Sequence, residues 1–129
     1  MKQVRIAFMT ILLVLLVFPA IAGEIVAFDQ SRFLAAQQEG RPILVDISAS
    51  WCPTCAAQKP ILDRLTAKPE FKNLIVFTVD FDAQKDVVRG FHAQAQSTLI
   101  AFKGTIETAR SVGDTREASI EKLLRSTGG

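Results

Sequence analysis

The stretch Ile43-Leu-Val-Asp-Ile-Ser-Ala-Ser-Trp-Cys-Pro-Thr-Cys55 places two cysteines shortly after an apolar run. The run from Ile43 to Ile47 is rich in β-branched residues, which is typical of a strand buried on both faces of a sheet. Apolar residues then recur at helical spacing from Ala56 to Leu65, which predicts a helix that ends near Ala67. The sequence therefore predicts a buried strand, a short loop and a helix that begins at a Cys-x-x-Cys pair.

The rest of the chain alternates between further apolar strands and amphipathic helices. The predicted elements are a strand from Ile25 to Phe28, a helix to about Glu39, a strand from Leu74 to Val79, a short helix from Lys85 to Phe91, a hairpin of Leu99 to Phe102 with Ile106 to Val112, and a last helix. Asp114 to Glu117 has the D-x-x-E spacing of a capping box at the start of that last helix. The order β-α-β-α-β-α-β-β-α predicts an α/β fold, with helices on both faces of a largely parallel sheet and an antiparallel hairpin at its end.

The first 22 residues differ from the rest. Lys2 and Arg5 precede an apolar run from Ile6 to Phe18, and Ala20-Ile-Ala22 has the small-x-small spacing of a cleavage site. We expect residues 1–22 to be a signal peptide, with a domain over 23–129 that is exported to the periplasm, where disulfide chemistry is permitted. The alternative is an uncleaved anchor helix, but the run is shorter than the roughly 18–20 apolar residues that span a bilayer.

The charges are nearly balanced. The chain has 15 Lys and Arg against 13 Asp and Glu, and two of the basic residues, Lys2 and Arg5, lie in the expected leader. A domain that is close to neutral lacks the clustered positive charge of a nucleic-acid-binding surface. We therefore expect no nucleic-acid partner.

The Cys-x-x-Cys pair indicates thiol chemistry. At the N-terminus of a helix, outward-pointing N–H groups and the helix dipole lower the pKa of the first thiol, and the second thiol lies one turn away, where it can attack a mixed disulfide. A zinc site needs about four ligands, but the chain has two cysteines and one histidine. A c-type haem site needs His after the second Cys, where Ala56 stands. A purely structural disulfide would close too short a loop to add much stability.

From Ile43 to Val112 the sequence resembles the thioredoxin family. The resemblance rests on the segments Ile-Leu-Val-Asp46, Ala49-Ser-Trp-Cys-Pro-Thr-Cys55, Pro60-Ile-Leu-Asp63, Val79-Asp-Phe-Asp82, Ser97-Thr-Leu-Ile-Ala-Phe-Lys-Gly104 and Val112-Gly113. It implies a thioredoxin fold, with a mixed four- to five-stranded sheet flanked by helices on both faces, and thiol–disulfide exchange with protein substrates without a cofactor. Within the family, the chain looks most like exported bacterial thioredoxins and the C-terminal domain of transmembrane thiol reductases.

The resemblance assigns roles around the dithiol. Cys52 is expected to be the more exposed nucleophile and Cys55 the buried resolving thiol. Asp46 is expected to be a buried acid with a raised pKa that exchanges a proton with Cys55; the alternative is that Asp46 merely lies at a sheet edge. Thr78 stands where many thioredoxins carry a lysine, so the sequence predicts that Asp46 lacks this cationic neighbour.

A second group of residues is expected to dock the substrate. Its members are Trp51, Pro53, Thr54, Gln96, Ser97 and Thr98. For Trp51 the alternative is a role in core packing alone. Ser97 departs from the family, which nearly always has a cis-proline at this position. Because a cis bond before a non-proline residue costs about 3–4 kcal/mol, we expect the Gln96–Ser97 peptide to be trans or the loop to be locally rearranged.

These expectations combine into one function and one alternative. The function is a monomeric periplasmic reductase of disulfides in exported proteins, which takes its electrons from a membrane thiol-electron transporter. The alternative is a soft-metal-binding or metallochaperone module that uses Cys52 and Cys55 as ligands.

Overall fold

The computed structural model describes Leu16 and residues 22–128. The expected signal peptide over residues 1–22 lies almost wholly outside this part of the chain. Within the described residues, no helix has both the length and the apolar character needed to cross a membrane.

Strands and helices alternate along the described chain in the order that the sequence predicts. The elements are β1 Glu24–Ala27, α1 Gln30–Gln38, β2 Pro42–Ser48, α2 Pro53–Thr66, a short 3₁₀ helix Pro69–Phe71, β3 Ile75–Asp80, α3 Lys85–Gly90, β4 Thr98–Lys103, β5 Ile106–Val112 and α4 Glu117–Arg125. The 3₁₀ helix is an addition to the prediction. The predicted α/β fold is confirmed.

The five strands form one mixed sheet in the order β1-β3-β2-β4-β5. Strand β3 runs parallel to both β1 and β2, whereas β4 is antiparallel to β2 and to β5. Strand β2 therefore occupies the centre of the sheet. Because β2 and β4 are antiparallel, the last residues of β2 and the first residues of β4 lie at the same end of the sheet, where Ile47 pairs with Thr98.

Side chains that alternate along β2 supply two separate apolar cores. Ile43, Val45 and Ile47 belong to one core, which also contains Phe33 of α1 together with Phe28, Phe77 and Phe102. Leu44 belongs to the other, together with residues of α2 and α4 such as Leu65. Both faces of β2 are thus covered, as its continuous apolar sequence indicates.

The capping box predicted for the last helix is absent. Helix α4 begins at Glu117, and its N-cap residue is Arg116, which makes no side-chain capping hydrogen bond. The Asp114 carboxylate instead accepts a hydrogen bond from the Arg116 N–H and another from the Ser119 hydroxyl. Asp114 thus bonds the segment before the helix as well as its first turn, and the helix starts later than the spacing suggests.

Replacement of Phe33 by alanine should destabilise the protein strongly. The Phe33 ring is buried and lies 5.3–5.7 Å from the ring centroids of Phe28, Phe77, Phe91 and Phe102. Loss of a buried phenylalanine leaves a cavity and costs about 3–5 kcal/mol of unfolding free energy, which urea denaturation measures. Leu34→Ala on the same helix is the matched control, because Leu34 is 46% exposed, and its cost should stay below about 1 kcal/mol. Equal losses in the two variants would contradict this packing.

Candidate active site

The two cysteines lie at the N-terminus of α2. Cys52 is the N-cap residue and Pro53 occupies the first turn, where its missing N–H is not needed. The Cys55 backbone N–H donates a hydrogen bond to the Cys52 sulfur over 3.1 Å. Cys52 and Cys55 form a disulfide, with their Cα atoms 5.3 Å apart. The Cys52 sulfur therefore occupies the place at which a helix N-terminus stabilises negative charge.

The expectation that Cys52 is the more exposed cysteine is wrong for this disulfide form. Cys52 is 3% exposed and Cys55 is 8% exposed. The Ser97 hydroxyl of the loop before β4 lies directly against the Cys52 sulfur and contributes to its burial. The order of attack by the two thiols stays a prediction.

Asp46 lies in the central strand, so the alternative of a sheet-edge position is wrong. It pairs with Thr78 of β3 on one side and with Leu99 of β4 on the other. Its Oδ1 atom is fully buried and has no hydrogen-bond partner within the described chain. Burial raises the pKa of the Asp46 carboxyl from 3.8 to about 6, and the charge of Lys59 opposes this rise. The raised pKa expected from the sequence is thus present, and its main cause is desolvation.

The charge of Lys59 acts on Asp46, so the expectation that Asp46 lacks a cationic neighbour is incomplete. Lys59 belongs to α2, one turn after Cys55, and it forms an ion pair of 2.8 Å with Asp63. A groove of about 550 Å³ is lined by Asp46, both cysteines and Lys59 among others. The groove gives water a route from the surface to the buried acid and to the dithiol.

Ser97 sits on the other side of the dithiol in a left-handed conformation, with φ +61°. No cis peptide bond occurs among residues 22–128, so the Gln96–Ser97 bond is trans, as expected. The Ser97 side chain is buried, and its Oγ lies 3.1 Å from the Cys52 sulfur and 3.2 Å from the Cys55 sulfur. The serine that departs from the family pattern therefore contacts both reacting atoms.

The backbone of Ser97 is fixed by two donors. The Gly113 N–H donates to the Ser97 carbonyl over 2.9 Å, and the Gln58 side-chain amide donates to the same carbonyl over 3.3 Å. The Gln58 amide also donates to the Asp114 carbonyl over 2.9 Å. Gln58 is buried on α2, so it links that helix to the loop before β4 and to the segment after β5.

The remaining predicted docking residues divide into exposed and buried groups. Trp51 is 57% exposed, which rules out a role in core packing alone, and its indole N–H donates to Asp82 over 2.7 Å. Pro53 is exposed, and Thr54 and Gln96 are partly exposed. Thr98 is buried, and its hydroxyl donates to the Ala95 carbonyl over 2.6 Å. Its side chain therefore supports the loop and is not displayed to a partner.

A metal centre gains no further ligands from the described fold. Among residues 22–128, no group of three or more His, Cys, Asp or Glu side chains is placed to hold a metal ion. The two sulfurs are instead bonded to each other. The structure thus adds nothing to the soft-metal alternative beyond the cysteine pair itself.

Comparison with known proteins identifies the family. The thioredoxin family model matches residues 24–126. This chain belongs to the thioredoxin family. An H-type thioredoxin of Brassica campestris is 31% identical over 109 residues, which cover 81% of this chain and 87% of the relative. Thioredoxin Asp f 29 of Aspergillus fumigatus is 35% identical over 86 residues, which cover 66% of this chain and 78% of the relative.

A solved structure agrees with this assignment. Trxlp from Edwardsiella tarda EIB202 superimposes with a TM-score of 0.77 at 38% identity, and the match covers 78% of this chain and 98% of that one. The thioredoxin fold and a thiol–disulfide oxidoreductase activity toward protein disulfides are therefore established for this chain.

Two residues of this thioredoxin's site were missed in the sequence, although helical spacing contains the signal. Gln58 and Lys59 follow Cys55 by three and four residues, so all three lie on neighbouring parts of one helix face. The same spacing makes Gln58 a polar residue in the inward-facing part of an amphipathic helix. Such a residue requires a buried hydrogen-bond partner.

Replacement of Asp46 by asparagine should stabilise this thioredoxin at neutral pH. The pKa of Asp46 is raised on folding from 3.8 to about 6, so between these values the folded state binds more protons than the unfolded state and wild-type stability falls as pH rises. At pH 7 the unfolding free energy of the Asp46→Asn variant should therefore exceed that of the wild type by about 3 kcal/mol. Urea unfolding of the oxidised proteins at pH 4 and at pH 7 measures it.

Asp86→Asn is the control for this comparison, because Asp86 is a well-exposed carboxylate far from the dithiol along the chain. Its stability should follow the wild-type pH dependence closely. A wild-type protein and an Asp46→Asn variant with parallel pH dependence would show that the burial of Asp46 has no such cost.

Proposed function

We propose that this thioredoxin works in the periplasm as a reductase of disulfides in exported proteins. The observation that carries the proposal is a cysteine pair at the N-terminus of α2 that shares a groove with Asp46, whose pKa is raised to about 6. A carboxyl with this pKa is ionised at pH 7 and is a stronger base than an ordinary aspartate. It can therefore accept the proton that the resolving thiol must lose.

Reduction of a substrate disulfide proceeds in two exchanges. The Cys52 thiolate attacks one substrate sulfur, the substrate S–S bond breaks, and the second substrate sulfur leaves and takes up a proton. Cys55 then loses its proton toward Asp46 and attacks the Cys52 sulfur, which releases the first substrate sulfur as a thiol. Two electrons pass to the substrate, and the enzyme is left with the Cys52–Cys55 disulfide.

The surface around Trp51 is the place where a substrate docks. Trp51, Pro53, Thr54 and Gln96 are the exposed or partly exposed members of the predicted docking set, and they flank the otherwise covered sulfurs. An extended substrate segment can approach Cys52 along this rim, because Ser97 covers the other side of the sulfur.

Export supports a membrane protein as the source of electrons. The basic residues, apolar run and small-x-small end of residues 1–22 have the pattern of a signal peptide, which removes the mature domain from the reductants of the cytoplasm. A dithiol on a membrane thiol-electron transporter, exchanging with the Cys52–Cys55 disulfide, would restore the reduced enzyme.

Cys55→Ser should accumulate mixed disulfides with protein partners, whereas Cys52→Ser should accumulate few. Without the resolving thiol, the intermediate formed at Cys52 persists, and without Cys52 it does not form. Non-reducing electrophoresis of the two tagged variants after acid quenching of cells measures the accumulation. Equal trapping by the two variants would contradict the assigned order of attack.

In cells, the mature protein should begin at Gly23, lie in the periplasmic fraction and carry reduced cysteines. Intact-mass analysis gives the N-terminus, and acid quenching followed by alkylation gives the redox state. In a host that lacks membrane thiol-electron transporters, the same protein should become oxidised. A protein that begins at Met1 would be an anchored form, and one that stays oxidised in every host would act as an oxidant.

A further inference from the structure

The geometry points to Ser97 as a catalytic residue that donates its hydroxyl hydrogen to the Cys52 thiolate, and to Gln58 as the residue that positions Ser97 for this bond. The inference rests on thiol–disulfide exchange alone and is independent of the compartment and direction proposed above. The family pattern does not supply Ser97, which stands in place of its proline.

The first argument is the location of the Ser97 hydroxyl. Its Oγ lies 3.1 Å from the Cys52 sulfur and 3.2 Å from the Cys55 sulfur, and all three residues are buried. The Cys55 backbone N–H donates to the same Cys52 sulfur over 3.1 Å. Cys52 therefore has two hydrogen-bond donors within reach, one from the helix N-terminus and one from the loop before β4.

The second argument is the backbone conformation of Ser97. A serine with φ +61° is in the left-handed region of backbone conformation, which residues other than glycine seldom adopt. Such backbone strain persists only where surrounding contacts enforce it. The hydrogen bonds from Gly113 and Gln58 to the Ser97 carbonyl are these contacts. They fix the peptide so that the side chain turns toward the sulfurs.

The third argument is the chemistry of Gln58. Its side-chain nitrogen meets two carbonyl oxygens, those of Ser97 and Asp114, so the amide must present its NH₂ group to both. Its Oε1 is buried without a hydrogen-bond partner among the described residues, which costs stability. The cost of the unpaired Oε1 is explained if the NH₂ group of the same amide has a function, and we assign it the support of the Ser97 loop.

The hydrogen bond favours the reduced enzyme. A hydroxyl donates strongly to a thiolate and only weakly to the neutral sulfur of a disulfide, because the bond to the charged acceptor is charge-assisted. Ser97 therefore stabilises the Cys52 thiolate against both its protonated form and the disulfide. This makes Cys52 ionise at lower pH and makes the disulfide a stronger oxidant.

The test removes the hydroxyl in two ways that affect the backbone oppositely. Ser97→Ala keeps a Cβ in the left-handed conformation, whereas Ser97→Gly removes it and relieves the strain. In both variants, the midpoint of Cys52 thiolate formation, followed by ultraviolet absorbance, should rise by about one pH unit. The equilibrium constant for reduction of the disulfide by glutathione should fall about tenfold, which corresponds to about 30 mV.

Gln58→Met tests the positioning role, because methionine is close in length but cannot donate. The midpoint should rise in this variant too, and Ser97→Ala/Gln58→Met should show no greater rise than Ser97→Ala alone, since Gln58 acts through Ser97. Thr66→Val is the matched control: it removes a buried hydroxyl at the far end of α2 that donates to the Leu62 carbonyl, and it should leave the midpoint unchanged.

Each contrary result overturns a stated part of the inference. An unchanged midpoint and glutathione equilibrium in both Ser97 variants would exclude the hydroxyl hydrogen bond. A shift in only one of them would assign the effect to backbone strain. A shift in the Ser97 variants without one in Gln58→Met would remove the role of Gln58. If the thiolate midpoint and the glutathione equilibrium shift as expected but substrate disulfides are not reduced, the result would instead count against the proposed function.

Discussion

The position of the two sulfur atoms depends on the burial of β2 between two helical layers. Leu44 of this strand shares one core with Leu62 and Leu65 of α2, so the helix cannot move relative to the sheet without exposing apolar surface. The loop from the end of β2 to Cys52 is short, and the antiparallel pairing of β2 with β4 brings the start of β4 to the same end of the sheet as the cysteines. One buried strand thus fixes the cysteines and the loop that covers them.

Asp46 is the polar exception in that strand. Its neighbours Val45 and Ile47 point into the apolar core on the other face, while Asp46 lies on the face that α2 covers. An apolar residue at this position would avoid the desolvation that raises the pKa of the carboxyl to about 6. The position therefore costs stability in the charged state and gains a base that titrates near neutrality, beside a thiol that must lose a proton. Sites at which local stability is given up in this way are typically functional.

The sequence was sufficient for features that depend on periodicity and on position relative to a helix end. The order of strands and helices, the place of Cys52 at the N-terminus of α2 and the acid in the buried strand all follow from such patterns. It was insufficient where the answer depends on contacts between segments distant along the chain. The burial of Cys52 by Ser97, the charge of Lys59 near Asp46 and the bond from Gln58 to the loop before β4 join residues through the fold. The capping box failed for a related reason, because Asp114 bonds both Arg116 and Ser119 and shifts the start of α4.

During exchange the Cys52 thiolate needs hydrogen-bond donors, whereas the Cys55 thiol needs a base, because it must give up its proton once the mixed disulfide forms. Groups on the two sides of the dithiol can supply them. A hydroxyl has one hydrogen to donate and lone pairs to accept, so Ser97 can donate to the Cys52 thiolate while it accepts from the Cys55 thiol. Such linked hydrogen bonds strengthen one another. Once Cys52 is bonded to a substrate sulfur, its charge is gone and the bond from Ser97 weakens. The Cys55 proton is then held less firmly, and Asp46, across the groove, is the base that remains. With the proposed roles of Ser97 and Asp46, the loss of charge at Cys52 would release the proton of Cys55, so the resolving thiol would become reactive only after a substrate has been captured.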